Sequence, residues 1–226
     1  MNTINTIMIN IETSFWSANE AFEYFYKTIS REGVDFASTK TLFNIGFTLV
    51  EPRARRITNE MRNWKEDYAE AEWQWYLSGD NNIAKLGEIY GKVPEIWKRM
   101  ADHWGYVNSN YGYQWQRTCW HNFSQYKRVV QMLKDNPNTR QAALSIYDAK
   151  EITKYENDTP CTYAIQFTVL NDRLNMSVVM RSNDLWYGFC NDQYCYYQIN
   201  AIAIQLRRTL ASSFSLCLLY GCPLDL

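Results

Sequence analysis

"PCTYAIQFTVLNDRLNMSVVMRSNDLWYGFCNDQY", residues 160–194, decides the fold class. Residues 162–170 and 173–181 both read as strands. In the second, Leu174, Met176, Val178 and Met180 alternate with Asn175, Ser177, Val179 and Arg181, the period of a strand with one covered face. Asn171-Asp172 between them is a two-residue turn pair and predicts a hairpin. Downstream, "DQYCYYQINAIAIQLRRTL" (192–210) returns to a helical pattern. Upstream, "RQAALSIYD" (140–148) predicts a third strand. Before it, helices are predicted over 61–79, stopped near Gly79, and over 122–135, with Phe123, Tyr126, Val130 and Leu133 inward. In the first helix Trp64, Tyr68, Glu72 and Tyr76 recur every four residues, which sets a carboxylate inside an aromatic stripe. Helices, then paired strands, then a helix make the class α+β.

A chain of 226 residues without repeats or Gly/Ser-rich linkers suits a single domain over 1–226. Aromatic residues make up 16% of it, which argues for a packed core rather than disorder. The net charge of −1 leaves no electrostatic footprint for nucleic acid, so no direct nucleic-acid binding is expected. No apolar run is long enough to span a membrane, and the first residues lack the pattern of a signal peptide. The six cysteines form no C-x-x-C pair, and His103 and His121 are the two histidines, so no metal site is expected. Reduced thiols and a cytoplasmic location are the simplest expectation.

Singly, the candidate chemical groups have ordinary readings. Cys161 after Pro160 can be a small buried hydrophobe, and Arg181 at a strand end a solvated charge. Glu72 can be a surface residue of its helix, and Asp192 an acid favoured by a helix N-terminus. Their joint spacing points elsewhere. Pro-Cys at a strand start, then Gln166-Phe167, then Arg181-Ser182-x-Asp184 and Gly188, resembles the central signature of the thymidylate synthase family. "EWQWYLSGDNNI" (72–83), "NYGYQW" (110–115) and "NTRQAALSIYD" (138–148) are similar to further segments of that family, although Gln141 replaces the second arginine of an Arg-Arg pair. The resemblance covers roughly residues 60–206.

The resemblance implies a mixed β-sheet flanked by helices, a sheet face that forms a homodimer interface, and 5,10-methylenetetrahydrofolate as cosubstrate. It implies that Cys161 adds to carbon 6 of a pyrimidine nucleotide, making carbon 5 nucleophilic, with Arg181 favouring the thiolate. Arg181 and Ser182 are then phosphate ligands, and Arg140 a phosphate ligand reaching into the partner subunit's site. Glu72 moves protons at the ring, Asp184 binds the folate with Trp97 nearby, and Gln166 joins the base-binding set.

The base reader of thymidylate synthases is an asparagine four residues after the glycine, and here that position is Asp192. A carboxyl group sharing one proton with N3 and accepting from the N4 amino group suits cytosine. "MRSNDLWYGFCNDQY" and "VPEIWKRMADHWGYVNSNYGYQW" (93–115) are accordingly more similar to the deoxycytidylate hydroxymethylase branch found in bacteriophages. That implies 5-hydroxymethyl-dCMP, made for modified phage DNA, with dUMP-directed or methyl-transferring enzymes as alternatives. The tail, 207–226, departs from the family. No His follows His121, so the family's sugar-binding His-x-Tyr is missing, and an impaired homologue that binds nucleotide without turnover stays open.

Overall fold

The computed structural model describes residues 13–117, 124–155, 157–205 and 211–218. A six-stranded mixed sheet carries the molecule, built from β1 (Thr13–Phe15), β4 (Gly46–Leu49), β5 (Ala143–Ser145), β6 (Thr162–Leu170), β7 (Arg173–Met180) and β8 (Ala211–Leu218). Their spatial order is β1-β4-β8-β7-β6-β5, with β1 parallel to β4 and β8 parallel to β7. A separate small hairpin joins β2 (Val34–Phe36) and β3 (Thr39–Thr41). One face of the sheet is covered by α1 (Ala18–Glu32) and α7 (Cys190–Gln205), with α2 (Glu66–Ser78) packed on α7 and with α5 (Tyr111–Gln116) and α6 (Gln125–Asp135) beside β5. Two short helices, α3 (Ile83–Tyr90) and α4 (Glu95–Met100), follow α2.

The hairpin forms as its turn predicts. Asn171 and Asp172 both adopt positive φ, 51° and 56°, the conformation that a tight two-residue turn between twisted strands requires. Pairing then runs Leu170↔Arg173 to Thr162↔Met180, with one irregularity between Thr162 and Ala164. Ile165, Phe167, Leu174, Met176, Val178 and Met180 are all buried on the covered face.

Several expectations need correction. The predicted helix over 61–79 begins only at Glu66, because Asn63 takes a left-handed conformation (φ 45°) that interrupts it. Trp64 therefore lies ahead of the helix, not on its stripe, though its indole still meets α7 through Asn191 Oδ1 at 2.9 Å. The strand predicted over 140–148 shortens to Ala143–Ser145. The C-terminal helix starts earlier, at Cys190, and is led by a wide π-helical turn over Leu185–Phe189. Helices do not come first: β1 precedes α1, and β4 lies between α1 and α2, both strands too short for periodicity to reveal. Residues 211–218 of the atypical tail form β8, which lies in the sheet between β4 and β7. The first two residues of the helix predicted over 122–135, residues 206–210 of the last helix, and His121 lie outside the described residues.

Close backbone approach fixes α5 on α2. A Cβ on Gly112 would stand 1.9 Å from the Tyr76 carbonyl oxygen, so only glycine permits this crossing. The approach brings Tyr111 against Tyr76, ring centroids 5.9 Å apart, over the segment of α2 that carries Glu72.

Candidate active site

Hairpin register sets the nucleophile beside its cation. Because Thr162 pairs with Met180, the flanking residues Cys161 and Arg181 stand opposite each other, and the Arg181 amide donates to the Cys161 carbonyl at 2.8 Å. The Arg181 guanidinium donates to the carbonyls of Thr159 (2.8 Å) and Pro160 (3.1 Å) and reaches Cys161 Sγ at 3.6 Å. It thus holds the loop that presents the thiol. Ser182 follows it, half-buried.

The expected thiolate is not the resting form. Burial pushes the Cys161 thiol up to about 11, and Arg181, which pulls it down, is outweighed once Asp192, Asp158 and Asp184 add their negative charge. Asp158 is a residue that sequence reading missed. Fully buried, it accepts from the Ser109 amide at 2.6 Å and from the Ser109 hydroxyl, while Asn108 Nδ2 donates to its carbonyl at 2.8 Å. It ties the Cys161 loop to the Asn108-Ser109-Asn110 segment. Its place three residues before Cys161 was the available signal.

Glu72 and Asp192 come from different helices and face the same interior. Glu72 is 4% exposed and Asp192 8%. Desolvation raises the Glu72 carboxyl, opposed by hydrogen bonds from Tyr76, at 2.8 Å to Oε1, and from Tyr68. Asp192 is pushed well above the usual carboxylate range by burial first, then by the charges of Glu72 and Asp184. Gly188, one turn before Asp192, makes room for the Asn183 side chain and lies in ordinary contact with Asp192. A Cβ there would sit 2.6 Å from Asn183 Oδ1 and 3.5 Å from Asp192 Oδ2.

Asp184 caps the turn that leads into α7, accepting the amides of Tyr187 and Gly188. Beside it the exposed Tyr187 ring lies 5.6 Å from the Arg62 guanidinium carbon. Trp97 packs edge-on against Trp75 and donates its indole N–H to the Tyr68 hydroxyl at 2.8 Å. Arg140 and Gln166 are not brought to this site. Both are exposed, and Gln166 Nε2 meets the Arg140 carbonyl at 3.4 Å on the uncovered face of the sheet. The strand period that buries Ile165 and Phe167 necessarily turns Gln166 the other way.

The arrangement therefore unites a thiol, a guanidinium and two buried carboxyl groups, the set required for nucleophilic addition with proton transfer. The thymidylate synthase family model matches residues 25–216. The chain belongs to the thymidylate synthase family. Among similar proteins of this family, deoxycytidylate 5-hydroxymethyltransferase of Enterobacteria phage T4 is 32% identical over 166 residues, 70% of this chain and 63% of that protein. Thymidylate synthase of Buchnera aphidicola (strain Tuc7) is 36% identical over 120 residues, 52% of this chain and 44% of its own length. The chain thus spans less than two thirds of these relatives. Thermostable thymidylate synthase A from Bacillus subtilis shares the fold, with a TM-score of 0.72 at 18% identity, covering 91% of this chain and 78% of the other.

Proposed function

We propose that this thymidylate synthase family member transfers a one-carbon unit from 5,10-methylenetetrahydrofolate to carbon 5 of dCMP, giving 5-hydroxymethyl-dCMP. The observation that carries this reading is Asp192, a buried carboxyl held toward its protonated form at the base-reading position beside Gly188. With cytosine, its proton is shared with N3 while the other oxygen accepts from the N4 amino group. As Cys161 adds to carbon 6, the proton moves toward N3 and draws electron density from the ring. Addition requires the thiolate, so the bound nucleotide and Arg181 together must lower a thiol that rests near 11.

Glu72 then exchanges protons at the ring, for which a carboxyl raised toward neutrality is suited. Carbon 5 attacks the one-carbon unit, and water rather than hydride completes the transfer in the hydroxymethyl outcome. Phosphate binding falls to Arg181 and Ser182, with Arg140 supplied by the second subunit of a homodimer. The uncovered sheet face, where Arg140 lies, supports that assembly. For the folate, the flat exposed Tyr187 ring and the Arg62 cation beside Asp184 suit a heterocycle with an anionic tail.

One observation favours a second reading. A neutral carboxyl turned about can also accept from N3–H and donate to O4 of uracil, so a dUMP-directed enzyme satisfies the same geometry. The test is tritium release from carbon-5-labelled dCMP and dUMP in parallel with methylenetetrahydrofolate, with mass spectrometry of the products. Release from dCMP with a hydroxymethyl product is expected. Release from dUMP alone assigns the second reading, and release from neither, in a folded dimer, assigns an impaired homologue.

A further inference from the structure

The stripe on α2 contains two phenols that the reaction as described leaves unused. Tyr68 and Tyr76 stand one turn before and one turn after Glu72. Tyr76 donates to Glu72 Oε1 at 2.8 Å, and Tyr68, on the same helix face one turn earlier, opposes the upward pull of burial on the same carboxyl group. Tyr68 is itself tied outward, its hydroxyl accepting from Trp97 Nε1 at 2.8 Å. We propose that Tyr68 and Tyr76 are positioning residues that clamp Glu72 from both sides along its own helix, and that Tyr68 links this carboxyl to Trp97 on α4.

The clamp has a physical purpose. A carboxyl group buried among aromatics otherwise loses both a defined rotamer and any stable ionised form. Phenols at i−4 and i+4 hold the group between them and oppose desolvation, so it keeps a usable proton affinity. The other groups facing it are Asp192 and Cys195 from α7, whose charges act on Glu72, Tyr76 and each other, and Tyr111 from α5, which packs on Tyr76. None of these is a cation, so the phenols supply the stabilisation. The Trp97 end lies in the short exposed helix α4. Displacing the indole there removes a donor from Tyr68 and alters how strongly it supports Glu72.

The experiment is a carboxyl titration by NMR on protein labelled with 13C at glutamate side-chain carboxyls, with Glu72 assigned by its loss in Glu72→Gln. Losing one donor to the ionised form raises the Glu72 midpoint by about one pH unit in Tyr68→Phe and in Tyr76→Phe. Tyr90→Phe serves as control, because Tyr90 packs edge-on against Tyr68 at 5.2 Å without touching Glu72. Its midpoint matches the unsubstituted protein. A midpoint that does not move in Tyr68→Phe and Tyr76→Phe overturns the clamp. Equal shifts in all three variants overturn it too, since they mark a general packing effect. The kinetic arm rests on the proposed function: the acid limb of the tritium-release profile moves to higher pH by the same amount, a loss of about tenfold below it. A shifted midpoint in a protein that never releases tritium leaves the clamp standing and removes the functional reading instead.

Discussion

On the covered side of the β6–β7 hairpin, Ile165, Phe167, Leu174, Met176, Val178 and Met180 are buried, with α7 packed on β7. On the other side Tyr163, Gln166, Thr168 and Leu170 are exposed, Leu170 by 61%. The residues proposed for catalysis divide between these regions. Cys161, Arg181, Asp184, Asp192 and Glu72 gather at the covered side and its end, where desolvation raises the proton affinities of Cys161, Asp192 and Glu72. Arg140 and Gln166 lie exposed on the open face. The difference teaches that one sequence signature can serve two places. A buried carboxyl or thiol works through its altered proton affinity, whereas an exposed arginine works by reaching what docks against it.

The sharpest break of this comparison removes the thiol. Cys161→Ser is expected to reduce tritium release by at least about 10⁴-fold while nucleotide binding, followed by tryptophan fluorescence, persists. A retained rate means that the buried group is not the nucleophile. Asp192→Asn should come next, moving the dCMP to dUMP preference toward dUMP by on the order of 10²-fold or more in kcat/KM. An unchanged preference would show that burial of that carboxyl has nothing to do with base choice.

The open face is tested by Arg140→Ala, expected to raise the nucleotide KM about 10–100-fold, as for loss of a charged hydrogen bond. At nucleotide concentrations well below the raised KM, where Arg140→Ala and Cys161→Ser chains are each slow alone, mixing them should then restore up to about a quarter of the unsubstituted rate, because half of the re-formed dimers carry one intact site. No restoration would confine Arg140 to its own chain. The smallest effect is on stability. Asp192 binds its proton more tightly folded than unfolded, so its contribution to stability is present at low pH. That contribution is lost as pH rises from the unfolded value, about 3.9, through the raised folded one. Asp192→Asn should therefore lose less stability between about pH 5 and pH 8. A difference of about 1 kcal/mol corresponds to roughly 2–4 °C in thermal melts of a chain this size.

The hairpin was legible because its period and turn are local. Alternation from Leu174 to Met180 and the Asn171-Asp172 pair need no distant partner to be read. The edges were less legible. β1 and β4 are three and four residues long and exist by pairing with each other and with β8. β8 itself was passed over as tail, although Phe214, Leu216 and Leu218 alternate with Ser215 and Cys217. Within the site, the spacing of Cys161, Arg181 and Asp192 marked the chemistry. Asp158 stayed hidden because its partner, Ser109, is 49 residues away.

By itself the sequence determined the family, the hairpin that sets Cys161 opposite Arg181, and the substitution at 192 that raises the question of the base. Only the tertiary structure decided the state of these groups. It made Cys161 a resting thiol rather than a thiolate, raised the carboxyls of Glu72 and Asp192, and sent Arg140 and Gln166 to the far face. The reason is that proton affinity depends on the surrounding dielectric and on charges brought near by folding, and neither is encoded in the spacing of the residues along the chain.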